Sequence, residues 1–111
     1  MPAAYTNLYI EQGTTFSTNI TLDDVYGNVY NLVGYTANSQ IRKSYYSANA
    51  TAIFTTTTTP RDGIIYLTLS ASTTANIAAG RYVYDTKITD LDNNVTRVLE
   101  GIVEVSPSVT R

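Results

Sequence analysis

Along residues 80–89 the chain alternates. Tyr82, Tyr84, Thr86 and Ile88 fall on one parity, and Arg81, Val83, Asp85 and Lys87 on the other. The first set is bulky and mostly apolar, and the second carries the charges. A period of two is that of a strand with one buried face. Tyrosine suits the inner set, because its ring fills volume while its hydroxyl reaches a polar rim. Asp90 to Asn94 then reads as a hairpin loop of residues that tolerate tight backbone angles. The partner strand runs from Val95 to Val105, with Leu99, Val103 and Val105 on one parity and Thr96, Glu100 and Glu104 on the other. Val98 and Ile102 break that alternation. Gly101 predicts a bulge or a close approach of another backbone, and Pro107 ends the strand.

The rest of the chain is written the same way. Leu8 and Ile10 predict a short first strand. Phe16, Ile20 and Leu22 share a face with Thr14 and Thr18. Asp23-Asp24 and Gly27-Asn28 are turn chemistry. Tyr35, Ala37, Ser39 and Ile41 share one face of a further strand. Ala52 and Phe54 lead into a run of threonines, Thr55 to Thr59, followed by a turn at Pro60-Arg61-Asp62-Gly63. Ile65, Leu67 and Leu69 form another buried face. One segment departs from the pattern: Ser70 or Ser72 caps a short helical turn, Ile77 points inward, and Gly80 stops the turn and starts the tyrosine strand.

These elements predict an all-β fold: a single immunoglobulin-like β-sandwich of about seven antiparallel strands, with one short helical turn before the sixth. In such sandwiches a tyrosine near the start of the sixth strand hydrogen-bonds back to the preceding corner. Gly80, Tyr82 and Tyr84 are therefore assigned to the corner and core. The whole of residues 1–111 reads as one domain, with an N-terminal arm over 1–6 and a C-terminal tail over 106–111.

Composition narrows the chemistry. Nine acids and seven bases give a net charge of −2, which is not the balance of a nucleic-acid binder. No apolar run approaches the roughly 20 residues that cross a bilayer, and the N-terminus lacks the pattern of a secretory signal. The chain has no cysteine and no histidine. It therefore has no thiolate nucleophile, no disulfide, and neither the commonest general base nor the commonest transition-metal ligand. No nucleophile–base pair, phosphate loop or metal spacing occurs. The expectation is a protein that is not an enzyme and takes no cofactor and no metal.

Three stretches carry weaker signals. Asp90-x-Asp92-x-Asn94 has half the spacing of a calcium loop, without its glycine or distal glutamate, and fits a hairpin turn. Arg42-Lys43-Ser44-Tyr45-Tyr46 mixes bases and aromatics, which suits either a stacked ligand or a strand end with tyrosines on its rim. The threonine run fits either a polar strand edge for docking or a plain exposed edge. Ten tyrosines exceed what seven strands need for packing. Tyr26, Tyr30, Tyr45 and Tyr46, with Thr55, Thr56 and Thr57, are the candidate partner contacts, since tyrosine gives large contact area at little entropic cost.

Taken together, "NLYIEQGTTFSTNITL", "NLVGYTANSQIRKSYYS", "GIIYLTLSASTTANIAAGRYVYDTKITD" and "VTRVLEGIVEVSPSVTR" resemble a family of small virion structural proteins of tailed bacteriophages, notably of cyanophages. They are also similar to the N-terminal immunoglobulin-like domain of phage upper baseplate proteins. The most specific pieces are Gly34-Tyr35-Thr36, Ile41-Arg42, Gly80 to Asp85 and Arg97 to Gly101. The resemblance implies a building block of the particle. It would be assembled in the cytoplasm of a bacterial host, reside in the virion, and contact other virion proteins or further copies of itself, not nucleic acid or membrane. Three roles follow as expectations: a subunit of the tail or baseplate, a decoration protein on the capsid, and a module that binds host-surface glycans.

Overall fold

The computed structural model describes residues 4–23, 27–28 and 30–109. Among them the predicted alternation becomes nine strands: β1 (Ala4–Tyr5), β2 (Leu8–Glu11), β3 (Phe16–Thr21), β4 (Thr36–Arg42), β5 (Ala52–Ile53), β6 (Thr55–Thr59), β7 (Ile64–Leu69), β8 (Gly80–Thr89) and β9 (Val95–Ser106). They make two sheets. The larger has the order β1–β9–β8–β4–β5, with β2 also on β9, and the smaller has the order β3–β7–β6. A single α-helical turn, α1 (Ala71–Ala75), and a 3-10 turn at Pro60–Asp62 complete the regular structure of the described residues.

The sequence predicts about seven strands. The larger number arises where two extended runs are each interrupted. In the second run the chain changes sheets at Phe54, between β5 and β6. Phe54 is 3% exposed, and its ring sits 6.0 Å from Phe16 and 6.3 Å from Tyr84. The crossing point is thus filled by an aromatic cluster shared by both sheets. In the first run the chain lifts off β9 at Thr6 and Asn7, between β1 and β2.

One expectation is corrected. The first run does not pair antiparallel: β1 and β2 both run parallel to β9. Parallel neighbours need a long crossover, and here nearly the whole domain supplies it. Ala4 and Tyr5, within the N-terminal arm over 1–6, pair with Leu99 and Glu100.

The core lies between the sheets and follows the predicted parity. Tyr82, Tyr84, Thr86 and Ile88 are all buried, as are Ile65, Leu67 and Leu69 facing them. Thr86 and Ser39 bury two hydroxyls, and both are satisfied: Thr86 Oγ1 donates to Ser39 Oγ at 3.0 Å, and Ser39 Oγ donates to the Asp85 carbonyl at 2.8 Å. Paired burial of this kind avoids the cost of an orphaned polar group. The exception at Val98 is now explained. Thr86 faces Leu99 while Lys87 faces Arg97, so Val98 is the extra residue of a bulge, and both Val98 and Leu99 turn inward.

Gly101 marks the close approach and not the bulge. It lies opposite Tyr84 on β8, where the first run lifts off β9. A Cβ at Gly101 would stand 2.0 Å from the Thr6 carbonyl oxygen, so no other residue fits without moving the N-terminal strand. The Thr6 carbonyl accepts a 2.6 Å hydrogen bond from the Tyr84 hydroxyl. The Asn7 side chain takes over the ladder by accepting from Ile102 N–H at 3.3 Å. Burial pushes the Tyr84 phenol up to about 12, and the Tyr5 phenol adds to the shift.

At the far end of β7, Ser70 caps α1 by accepting from Thr73 N–H. Thr74 is buried and donates to the Thr14 carbonyl at 2.7 Å, and Ile77 is buried beneath it. Gly80 does not stop the helical turn. The turn is already closed by Asn76, whose N–H reaches the carbonyls of Thr73 and Thr74. Gly80 does open β8, as expected, at φ 145°. Of the predicted turn at residues 23–28, Asp23, Gly27 and Asn28 are described, with Gly27 at φ 81°, and residues 24–26 lie outside the described residues.

Two outcomes follow. Gly101→Ala should destabilise the fold by on the order of 3 kcal/mol through overpacking. Chemical denaturation measures that loss, and limited proteolysis should then cut near residues 4–7. Tyr84→Phe should cost about 1–3 kcal/mol by orphaning the Thr6 carbonyl, and it should also change the alkaline response. An unfolded tyrosine ionises near 10, whereas folded Tyr84 holds its proton to about 12. Its contribution is therefore intact below pH 10 and lost as pH rises from 10 to 12. At about 1.36 kcal/mol per unit, the loss is at most about 3 kcal/mol. Denaturation titrations across that window should be flatter for Tyr84→Phe than for the native chain.

Candidate docking surfaces

Strand register sorts the loops into two ends. Thr36 pairs with Thr89 and Arg42 with Val83. The connection before β4 and the β8–β9 hairpin therefore share one end, and the loop after β4 lies at the other. The candidate contacts do not gather at either end.

Tyr30 is half-buried at the hairpin end. Its ring meets Tyr35 edge-on at 5.8 Å, and the two hydroxyls are 3.3 Å apart. Its N–H donates to the Leu22 carbonyl. The Tyr30 hydroxyl bonded to Tyr35, then burial, then the charges of Tyr30 and Asp90 push the Tyr35 phenol up to about 12. Tyr30 thus packs the connection rather than offering a free ring. Tyr26 lies outside the described residues.

Tyr45 and Tyr46 occupy the opposite end and are displayed. They are the central residues of a turn closed by Ser47 N–H donating to the Ser44 carbonyl at 3.2 Å. Ser44 N–H also donates to Ser47 Oγ at 3.1 Å. With its ends tied, the turn holds both rings outward, 61% and 97% exposed. Arg42 buttresses it by donating to the Ser47 carbonyl at 2.9 Å.

Thr55, Thr56 and Thr57 lie on β6, an edge of the smaller sheet. They are not equivalent. Thr55 and Thr57 are exposed, whereas Thr56 turns inward and donates to the Ala37 carbonyl at 2.8 Å. Thr56 therefore ties the two sheets together and is unavailable to a partner. Tyr82, at the core end of the corner, donates to the Ala78 carbonyl at 2.6 Å, and Lys43 Nζ lies 4.7 Å above its ring.

The Asp90 loop spends its carboxylate on its own backbone. Asp90 accepts from Asp92 N–H and Asn94 N–H, both at 2.9 Å. The Asn94 N–H holds its carboxyl below the usual carboxylate range, aided by the Asn94 side chain and Asp92 N–H and opposed by desolvation. Asn93 takes φ 65° to close the turn. Among the described residues no group of three or more metal-binding side chains gathers.

Two features were not anticipated. Tyr5 and Tyr9 are 60% and 68% exposed on the outer face of the larger sheet. The signal was present, because inward Leu8 and Ile10 force Tyr9 outward. Beside Tyr9, Arg81 and Glu104 form an ion pair at 3.1 Å across β8 and β9. On the same sheet, a cleft of about 270 Å³ is lined by Gln40, Arg42, Tyr45, Asp85, Lys87 and Arg97. These six residues come from three separate stretches, 40–45, 85–87 and 97, which only the β4–β8–β9 register brings together.

No protein-family model matches the chain, and a search of curated proteins found no match.

The unequal threonines give a direct check. Thr56→Val should cost about 1 kcal/mol by removing the inter-sheet hydrogen bond. Thr55→Val and Thr57→Val, at exposed positions, should stay within about 0.5 kcal/mol. Equal effects in thermal or chemical melts would refute the structural role of Thr56.

Proposed function

We propose that the chain is a non-enzymatic structural subunit of a tailed-phage virion, an immunoglobulin-like sandwich that docks onto other virion proteins of the tail or baseplate. The carrying observation is its display of aromatic side chains. Tyr5, Tyr9, Tyr45 and Tyr46 each expose at least 60% of their surface, while most other large apolar residues gather in one core, apart from exposed Val33, Ile53, Leu91, Val95 and Val109. Exposed tyrosines suit protein docking, since rings anchor an interface at low entropic cost.

The order of strands supports the immunoglobulin-like reading. A three-stranded β3–β7–β6 sheet faces β9–β8–β4–β5, and the Tyr82 hydroxyl reaches back to Ala78 four residues earlier, as in a tyrosine corner. The Gly80-to-Asp85 stretch that carries the phage resemblance is the ladder of this corner. Its inward residues hold the sandwich together, so docking falls to its outward side chains and to the flanking surfaces. Many copies on a symmetric particle gain avidity, which allows each contact to be weak.

Tyr45→Ser with Tyr46→Ser should reduce incorporation into particles several-fold while leaving the melting temperature unchanged. Quantitative mass spectrometry of purified virions, repeated on separated heads and tails, reads this out. A low copy number confined to tails is the expected result. A high ratio on heads would assign the chain to capsid decoration, and absence from both would overturn the virion reading.

A further inference from the structure

The cleft on the outer face of the larger sheet gathers charge in a way the fold does not need. Lys87 on β8 stands directly opposite Arg97 on β9, and like charges in directly opposed positions destabilise a sheet. Arg97 is neutralised, at 3.3 Å from Asp85 and 3.4 Å from Glu100. Lys87 has no carboxylate within 4.0 Å among the described residues. Neither has Arg42, whose guanidinium donates only to neutral groups, Gln40 Oε1 at 2.8 Å and the Ser47 carbonyl at 2.9 Å. These two bonds fix the guanidinium in place. Two uncompensated cations thus line one cleft of about 270 Å³, in a chain whose net charge is −2. Overall basicity does not explain them.

Their spacing is defined. Arg42 lies opposite Val83 on β8, four residues from Lys87. At about 3.3 Å per residue the two rows are about 13 Å apart along the strand. Between them lies the row of Gln40 and Asp85, which repels an anion. An extended peptide lying along β8 repeats this spacing: its residues i, i+2 and i+4 face the sheet at about 6.6 Å intervals.

We propose that this cleft binds an extended acidic segment of a partner virion protein, with carboxylates at positions i and i+4 and a neutral or basic residue at i+2. Arg42 and Lys87 receive the two carboxylates, Asp85 rejects an acid at the centre, and the exposed Tyr45 ring closes one end. Charge complementarity of this kind sets register and specificity. The inference rests on the docking reading and specifies its partner.

The test uses the full chain and two labelled peptides of nine residues, mostly glycine and serine. One has glutamate at two positions four apart with glutamine midway. The other has glutamine at those two positions and glutamate midway. Fluorescence anisotropy at 20 mM and 300 mM salt measures binding. The first peptide should bind at least tenfold more tightly than the second, and weaken at high salt. Arg42→Gln with Lys87→Gln should abolish that preference. Asp85→Asn should raise binding of the second peptide, which keeps the idea testable should the double variant fold poorly. Equal binding of both peptides, no binding of either, or no effect of the substitutions would overturn the proposal. So would a short single-stranded oligonucleotide that competes more strongly at the same residues, since the ligand would then be a nucleic acid. Particle composition separates the two readings. If the Arg42→Gln, Lys87→Gln chain enters virions at the native copy number, the acidic-segment inference fails while docking stands. If the native chain is absent from virions, the docking reading itself fails.

Discussion

The sandwich is closed by one crowded point, where the Tyr84 hydroxyl reaches under the N-terminal strand to the Thr6 carbonyl across Gly101. Three requirements meet there. Gly101 must lack a side chain, Thr6 must turn its carbonyl off the β9 ladder, and Asn7 must replace it with a side-chain oxygen. The result locks the first run of the chain against the last. Phe54 packs edge-on against the same Tyr84 ring, at the place where the chain crosses between sheets. A single phenol therefore joins the chain terminus, the sheet crossing and the core. Its raised ionisation range is the electrostatic sign of that burial.

Much of this was legible from alternation alone. A buried face of the larger sheet was marked by Tyr82, Tyr84, Thr86 and Ile88, and that of the smaller by Ile65, Leu67 and Leu69. Period two is a strong signal when each face has one environment. It fails where the environment changes within a strand. The Val98 bulge shifts parity on β9, and Phe54 hands the chain from one sheet to the other. The parallel pairing of β1 and β2 with β9 was not readable, because alternation says which face is buried and nothing about which neighbour lies beside it. Gly80 starts the tyrosine strand as its sequence position suggests, but it does not stop the helical turn, which closes on Asn76 through its own backbone.

The surface was less legible than the core. Tyr45 and Tyr46 stood out because they are adjacent to each other and to basic residues, and both are exposed. Tyr30 looked equivalent in sequence but packs on Tyr35, since nothing local distinguishes a displayed ring from one covering a crossing chain. The cleft was invisible, because Arg42, Lys87 and Arg97 lie on three different strands and meet only through the register of β4 on β8 and β8 on β9.

The same alternation that built the core also decides what the outer face offers. Every inward residue on β8 commits its neighbour to solvent, so the ladder Tyr82–Tyr84–Thr86 fixes the outward series Arg81, Val83, Asp85 and Lys87. Strand order then places β9 and β4 on either side and turns a linear charge pattern into a two-dimensional one. Arg81 finds Glu104, and Arg97 finds Asp85 and Glu100. With those acids engaged, Lys87 and Arg42 are left at opposite ends of one cleft with no carboxylate within 4.0 Å among the described residues. A solvated sheet face gains nothing from such an arrangement, and exposed pairs contribute little to stability in any case. On the proposal made above, the asymmetry is a pattern for a partner to read, while the fold is held by the tyrosine beneath.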